Sequence, residues 1–259
     1  MSLFKKLAVQ LVPRTLLAWG KKQYYAYAVP GFWETEVEVV LCLLRPGDST
    51  IDLGANIGWY TALLSRLVGE GGKVYAVEPI PETFDLLSFV TRKLDLTNVD
   101  LFNVAVSDRN GSAVMEIPKY EYGGNNHYMA RIISGGTSEP ALETINVPIR
   151  SLDSLLPERL LERVTFVKCD VEGHEVEVLR GAAQFFEKVK PAMMIEVAGT
   201  VEVQDAADNE LFVILAGFGY VPYWFDGKKL RKRRRGHWSV NYFFLQDAHL
   251  PRVAHLVAT

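Results

Sequence analysis

Three stretches of this chain carry residues whose types and spacing could do chemistry. In the first, Thr50-Ile51-Asp52-Leu53-Gly54-Ala55-Asn56-Ile57-Gly58-Trp59, a short apolar strand runs into a Gly-containing turn. Apolar residues at Ala62, Leu63, Leu64 and Leu67 then keep helical spacing. Such a turn lets backbone approach a ligand, and the free amides of the following helix favour an anionic group. In the second, Lys73-Val74-Tyr75-Ala76-Val77-Glu78-Pro79, a strand ends in a carboxylate at the distance where nucleotide folds place a ribose ligand. In the third, the strand Val164 to Asp170 leads into Val171-Glu172-Gly173-His174-Glu175. Three acids and a histidine thus meet at a strand's carboxyl end, where open α/β sheets bind ligands and pKa values are often displaced.

The first stretch is a poor dinucleotide fingerprint, because Asn56 and Trp59 stand where small residues would admit a pyrophosphate. Read as acidic-x-Gly-x-x-x-Gly, Asp52, Gly54 and Gly58 resemble the cofactor loop of Rossmann-like S-adenosylmethionine-dependent methyltransferases. Each stretch also has a plainer reading: a structural strand-to-helix turn, a solvated strand-end Glu78, and acids capping a helix start at Glu172 and Glu175.

The elements that must position these groups follow from composition and periodicity. With 259 residues, 49% hydrophobic and 23% charged, the chain suits one large α/β domain with attachments. Cys42 and Cys169 lie in apolar runs with neither disulfide nor metal-ligand spacing, which fits a reducing compartment. No uncharged apolar run is long enough to span a bilayer, and no signal-peptide core opens the chain, so the expected location is cytoplasmic. The net charge of −3 hides an asymmetry: Lys228 to Arg235 carries seven positive charges, leaving −10 elsewhere.

Leu3, Phe4, Leu7, Ala8, Leu11 and Val12 form one helical face opposite Lys5, Lys6 and Gln10, which would pack on its own domain or a second subunit, or lie on a membrane. Residues 1–31 are therefore read as a helical extension, and 32–259 as the main domain. Phe32, Trp33 and Glu34 are candidate lid residues ahead of a Thr35–Glu38 capping box. A helix is expected from Pro81 to Leu94 and another from Val176 to Phe186, with strands at Val99 to Val104, Ala113 to Ile117 and Thr144 to Ile149. Residues 118–142, rich in Gly, Asn and Tyr, read as a lid-like insertion over the substrate. Tyr220 to Phe225 and Val240 to Leu245 read as a hairpin with a basic tip at 226–238.

Asp52 to Tyr60, Glu78-Pro79, Asn103 to Asp108, Ser151-Leu152-Asp153, Lys168 to Glu175, Leu179-Arg180-Gly181-Ala182 and Ile195-Glu196-Val197 together resemble the FkbM-type methyltransferase family. The resemblance implies a Rossmann-like class I fold, with a seven-stranded, mostly parallel sheet, helices on both faces and an antiparallel last strand. It also implies S-adenosylmethionine as donor and O-methylation of a sugar, glycolipid or natural-product hydroxyl. On this reading Asp52, Gly54, Ala55, Asn56 and Gly58 hold the cofactor's methionine end and Glu78 its ribose. Ala105, Val106 and Ser107 border the adenine, and Asp170 sits near the sulfonium.

An alcohol must lose a proton to be methylated. His174, oriented by Asp170 or Glu172, is the first candidate base, and His127 on the insertion the second. Two competing readings stand: a divalent cation on Asp170, Glu172 and Glu196, or a non-catalytic protein that offers Lys228 to Arg235 to an anionic partner. The expected partner is otherwise a small-molecule or glycan acceptor, with a homodimer through the N-terminal helix as a further expectation.

Overall fold

The computed structural model describes residues 13–119, 126, 129–132, 142–197, 199–205 and 209–258. Helix α1 (Arg14–Ala28) leads through a 3-10 turn (Val29–Gly31) to α2 (Val37–Leu43). Strands and helices then alternate: β1 (Ser49–Leu53), α3 (Trp59–Val68), β2 (Lys73–Val77), α4 (Pro81–Lys93) and β3 (Val99–Phe102). A β-rich segment follows, with β4 (Ala105–Val106), β5 (Gly111–Ile117), β6 (Arg131–Ile132) and β7 (Glu143–Arg150). Next come α5 (Leu152–Leu155), α6 (Glu158–Leu161), β8 (Val164–Cys169), α7 (Glu175–Arg180), α8 (Ala183–Lys188) and β9 (Ala192–Glu196). The chain closes with α9 (Val201–Asp205), α10 (Glu210–Gly217), β10 (Val221–Phe225), β11 (Leu230–Lys232), β12 (Asn241–Leu245) and α11 (Leu250–Val253).

The main sheet has the order β11-β10-β12-β9-β8-β1-β2-β3. Strands β9, β8, β1, β2 and β3 run parallel, and β12 inserts antiparallel between β9 and β10. The strand count is therefore eight, not seven: the expected antiparallel last strand is β12, and β11 adds an antiparallel edge outside β10. Buried residues cover both faces of the sheet, as a parallel sheet requires. One cluster joins Ile51, Val167, Phe186 and Leu215; the other joins Val39, Leu64, Phe166 and Phe243.

The basic run does not form the expected tip. Leu230–Lys232 is edge strand β11, with Leu230 buried. Arg231 donates to Asp226 at 2.5 Å, Lys229 Nζ to the His255 carbonyl at 2.8 Å, and Arg233 to the Gln204 carbonyl at 2.5 Å. Three of the run's seven cations are thus used within the fold. Nor does the Thr35–Glu38 capping box form: α2 begins at Val37 with no side-chain cap.

The helix expected from Val176 to Phe186 is broken into α7 and α8. At Gly181, a side chain would overlap the Ser107 carbonyl, so the break lets helix backbone press directly on the strand-β4 exit. Strands β4, β7, β5 and β6 form a separate four-stranded sheet. Its buried residues Met115, Ile117, Ala130, Val147 and Ile149 pack on Ile80 and Ala105, which sets this sheet over the carboxyl ends of β1 and β2. Part of the expected insertion is therefore ordered as β6, paired to β5. Residues 120–125, 127–128 and 133–141 of that insertion, His127 among them, lie outside the described residues, as does the segment 1–12.

Candidate active site

At the carboxyl ends of β1, β2 and β8 lies a cleft of about 610 Å³, counting the solvent-open space at its mouth. Gly54, Asn56, Glu78, Asp170, Glu172 and His174 line one side. Val104, Ala105, Val106, Met115, Ala130 and Ile132 supply an apolar wall from the second sheet and the segment entering it. Eight of the sequence-derived candidates are thereby brought together: Gly54, Asn56, Glu78, Ala105, Val106, Asp170, Glu172 and His174.

Four others sit behind this surface. Asp52 is fully buried; its Oδ2 accepts the Thr61 hydroxyl at 2.6 Å, and its Oδ1 has no hydrogen-bond partner. Burial raises its pKa, and Lys168 partly offsets that. Ala55 packs in the core with Ala76 and Leu87. Gly58 precedes α3 and donates its N–H to the Ala55 carbonyl at 2.9 Å. Ser107 is buried, with its hydroxyl 2.9 Å from His174 Nε2.

The glycine turn differs from a phosphate loop in one decisive respect. The N–H groups of Gly54 and Ala55 both donate to the Val77 carbonyl, at 3.0 and 2.9 Å, and the N–H of Asn56 donates to Glu78 Oε2 at 3.0 Å. With Gly58 also spent, the backbone N–H groups of residues 54, 55, 56 and 58 are all taken. Gly54 is needed for a different close approach: at φ +73°, a side chain there would overlap the Asp170 carbonyl of neighbouring β8. What the turn has left over is acceptors. Asn56 Oδ1 and Asp52 Oδ1 are buried without hydrogen-bond partners, and a buried unsatisfied polar atom costs about 1–3 kcal/mol. Glu78 keeps lone pairs beyond those taken by the Asn56 and Ile80 amides, and burial pushes its pKa up to about 7.

Behind Asp170, on the same side of the cleft, carboxylates gather around one buried cation. Lys168 Nζ lies 3.0 Å from Asp170 Oδ2, 4.0 Å from Asp52 Oδ1 and 5.5 Å from the centre of the Tyr60 ring. Burial alone would lower its pKa, but the Asp170 and Asp52 carboxylates more than reverse that and hold it charged. Tyr60 donates to Glu34, while Phe32 packs on Trp59 and Tyr60. The candidate lid residues Phe32 and Glu34 thus pack against α3 and line neither cleft, whereas Trp33 is largely exposed. Lys168 and Tyr60 received no role from sequence reasoning. The available signal was a lysine in an apolar strand, which needs counter-charges to be buried.

Glu172 occupies the junction with a second, more open cleft of about 930 Å³ lined by Pro118, Met129, Arg131, Glu172, His174 and Glu196, among others. Its backbone is left-handed, at φ +54°, uncommon for a non-glycine residue and found more often at functional sites. Burial, with Asp170 and Glu196 nearby, pushes its pKa up to about 7; burial and Asp170 do the same for Glu196. Glu175 ties down the turn ahead of α7: its Oε1 accepts the Gly173 N–H at 3.1 Å and the Val171 N–H at 3.4 Å, in the turn that carries Glu172.

His174 is not oriented by Asp170 or Glu172. Its Nδ1 is 3.5 Å from Glu177 and its Nε2 is 2.9 Å from the Ser107 hydroxyl, which is also placed to donate to Asp108 Oδ1 at 3.1 Å. Burial lowers its pKa. Among the described residues, no group of three or more His, Cys, Asp and Glu is arranged to hold a metal ion, which counts against the set Asp170, Glu172 and Glu196.

A parallel sheet with β12 inserted antiparallel near one edge, and a cleft at the carboxyl ends of its central strands, defines the Rossmann-like class I methyltransferase fold. The methyltransferase FkbM domain matches residues 52–222, and the chain belongs to that family. It is similar to the hexuronic acid methyltransferase AglP of Haloferax volcanii, 28% identical over 174 residues that cover 66% of this chain and 65% of that protein. It therefore spans somewhat less than two thirds of AglP's length. It is also similar to the 31-O-demethyl-FK506 methyltransferase FkbM of Streptomyces tacrolimicus, 28% identical over 199 residues, 68% of this chain and 74% of that one. A methyltransferase FkbM from Methylobacillus flagellatus superposes with a TM-score of 0.49 at 17% identity, over 90% of this chain and 59% of that chain.

Proposed function

We propose that this protein transfers a methyl group from S-adenosylmethionine to a hydroxyl oxygen of a sugar, glycolipid or natural product. The observation that carries the reading is the polarity of the glycine turn: the N–H groups of Gly54, Ala55, Asn56 and Gly58 are consumed, and the acceptor Asn56 Oδ1 stands at the cleft without a hydrogen-bond partner. A site of that kind suits a ligand rich in donors and positive charge, and disfavours a pyrophosphate. S-adenosylmethionine supplies an ammonium, two ribose hydroxyls and a methyl group activated on a positively charged sulfur, together with one carboxylate that the consumed N–H groups of the turn would not hold. The residues present fit it: Asn56 and Asp170 would hold the amine, Glu78 the ribose, and Ala105, Val106 and Met115 the apolar face of the base. Asp52, sealed under the turn, would act by fixing Thr61 and Lys168 rather than by contact.

On the acceptor side Glu172 is the residue placed to remove the proton. It borders both clefts, its turn is pinned by Glu175, and a base with a pKa near the working pH is the efficient one. His174, held between Ser107 and Glu177, would serve as a wall between the clefts. Three carboxyl groups at Glu172, Glu175 and Glu196, against Arg131 on the opposite rim, favour an acceptor that offers hydroxyl donors over one with a free carboxylate. AglP is described as acting on a hexuronic acid; a neutral sugar hydroxyl fits the present cleft better. Sugar and polyketide acceptors screened with methyl-labelled donor test the reading. Label transferred to a hydroxyl oxygen supports it, and transfer to nitrogen or carbon alone overturns the O-methylation assignment.

A further inference from the structure

Lys168 is buried in the middle of the main sheet, where a lysine has to be accounted for. Strand β8 pairs with β1 so that Lys168 stands opposite Asp52, and Asp170 follows two residues on. The alternation of side chains along a strand then puts all three on one face, at the carboxyl end of the sheet. Exchanging such a buried ion group for apolar residues of similar volume is often neutral or stabilising. Fold stability therefore does not by itself explain the lysine.

The place its ammonium takes up shows what it serves. Nζ donates to Asp170 Oδ2 at 3.0 Å and to the Gly54 carbonyl at 3.4 Å, with the Tyr60 ring centre at 5.5 Å. Asp52 Oδ1 is 4.0 Å away and has no hydrogen-bond partner, although Asp52 is the more deeply buried of the two acids. A lysine present only to neutralise a buried acid would turn to Asp52. This one is spent on Asp170 and Gly54, which line the cleft from the end of β8 and from the glycine turn. Lys168 itself lines neither cleft, so it acts through those two groups and not by touching a ligand. Among the described residues Asp170 Oδ1 accepts no hydrogen bond, so the contact at Oδ2 leaves the other oxygen for a ligand.

We infer that Lys168 is a positioning residue: anchored on the Gly54 carbonyl, it clamps Asp170 through Oδ2 in the place from which the other oxygen meets the amine of the methyl donor. The inference rests on the proposed function, in which Asp170 holds that amine. Its physical basis is crowding. Glu172, Glu175 and Glu196 all lie close enough to Asp170 to feel its charge. An unclamped aspartate chooses among staggered χ1 positions, and repulsion from those three favours the positions that lead away from them. A hydrogen bond between two charged groups is among the stronger and shorter kinds, so the clamp holds one rotamer ready before the donor arrives and lowers the ordering cost of binding.

The test is calorimetry of the full chain with S-adenosylhomocysteine, which carries the amine, and with methylthioadenosine, which keeps the adenosine and the sulfur but lacks the amino-acid end. In Lys168→Met, S-adenosylhomocysteine is expected to bind about tenfold to a hundredfold more weakly, as for the loss of one hydrogen bond to a charged group, while methylthioadenosine binds as before. In an Asp170→Asn background, where the clamp has no carboxylate to hold, Lys168→Met is expected to cost no further S-adenosylhomocysteine affinity. Should Lys168→Met fail to fold with Asp52 left uncompensated, the pair Lys168→Met and Asp52→Asn removes both buried charges and is expected to show the same split between the two nucleosides. Equal weakening of both nucleosides, a full additional loss in the Asp170→Asn background, or unchanged S-adenosylhomocysteine affinity overturns the inference. Binding of neither nucleoside by the unsubstituted chain contradicts the donor reading itself, and the inference falls with it.

Discussion

The two halves of the cleft are held by opposite means. Around Gly54 to Asn56 every amide named above is tied to the β2 strand or to Glu78, so the loop is rigid before any ligand arrives and its spare groups are acceptors. Around Glu172 the carboxyl groups crowd one another, with Lys168 as the buried counter-charge, and the backbone sits in a sparsely populated conformation. On the proposed function, the first half would serve as the recognition surface for the methyl donor. The second stores protonatable groups, as a site that must move a proton does. Each expected outcome below tests whether that division is real.

The largest effect should come from Glu172→Gln, which keeps the shape and removes the base. Turnover is expected to fall by about a hundredfold to ten-thousandfold with donor affinity unchanged, as measured by steady-state kinetics beside calorimetry. Equal losses in both would mean that Glu172 belongs to the recognition half. His174→Ala, by contrast, should leave a clear majority of that turnover, because its ring is held between Ser107 and Glu177.

Gly54→Ala comes next. Its methyl group meets the Asp170 carbonyl, and the residue must also hold φ +73°. A destabilisation of about 3 kcal/mol is expected from overpacking together with backbone strain, readable as a drop of several degrees in unfolding temperature. An unchanged midpoint would show that the turn can slide away from β8.

Glu78→Ala should weaken donor binding by roughly tenfold to a hundredfold, since it removes ribose acceptors and leaves the Asn56 and Ile80 amides unpaired, at about 1–3 kcal/mol per group. Turnover at saturating donor should change much less.

The smallest effect is the pH dependence of stability. Glu78, Glu172 and Glu196 have folded pKa values of about 7, above the ordinary 4.5. Between those values the folded protein binds more protons than the unfolded chain, so the contribution of these groups to stability falls as pH rises from about 4.5 to about 7. Unfolding temperature without ligand is expected to drop across that window, less so in Glu78→Gln. Turnover should move the other way and rise through pH of about 7, as Glu172 ionises. A base limb that tracked donor affinity instead of turnover would assign the titration to Glu78.

How much of this was legible in the sequence divides along the same line. The recognition half is local: Asp52, Gly54, Asn56 and Glu78 sit on two consecutive strand-turn-helix units, where hydrophobic periodicity and strand-end acids suffice to place them. Even there the sequence suggested free amides. The pairing of β1 with β2 that consumes them is a matter of register, which no local pattern displays. The proton-moving half depends on contacts between distant segments. Glu177 and Ser107 decide the state of His174, and Glu34 reaches Tyr60 across 26 residues. The basic run read as a tip because charge pattern does not reveal that Leu230 finds an apolar pocket and Arg231 an acid five residues away. Gly181 carried a better clue than it was given: a glycine inside a helical pattern marks a close backbone approach, here to Ser107.

The most direct test of the inverted-polarity turn is calorimetric titration of the ligand-free protein with S-adenosylmethionine, run beside NAD as a pyrophosphate-bearing competitor of similar size. One equivalent of S-adenosylmethionine is expected to bind, at least tenfold more weakly in Glu78→Ala, with no measurable heat from NAD. Tight binding of NAD, or no S-adenosylmethionine binding by the intact folded chain, would contradict the account.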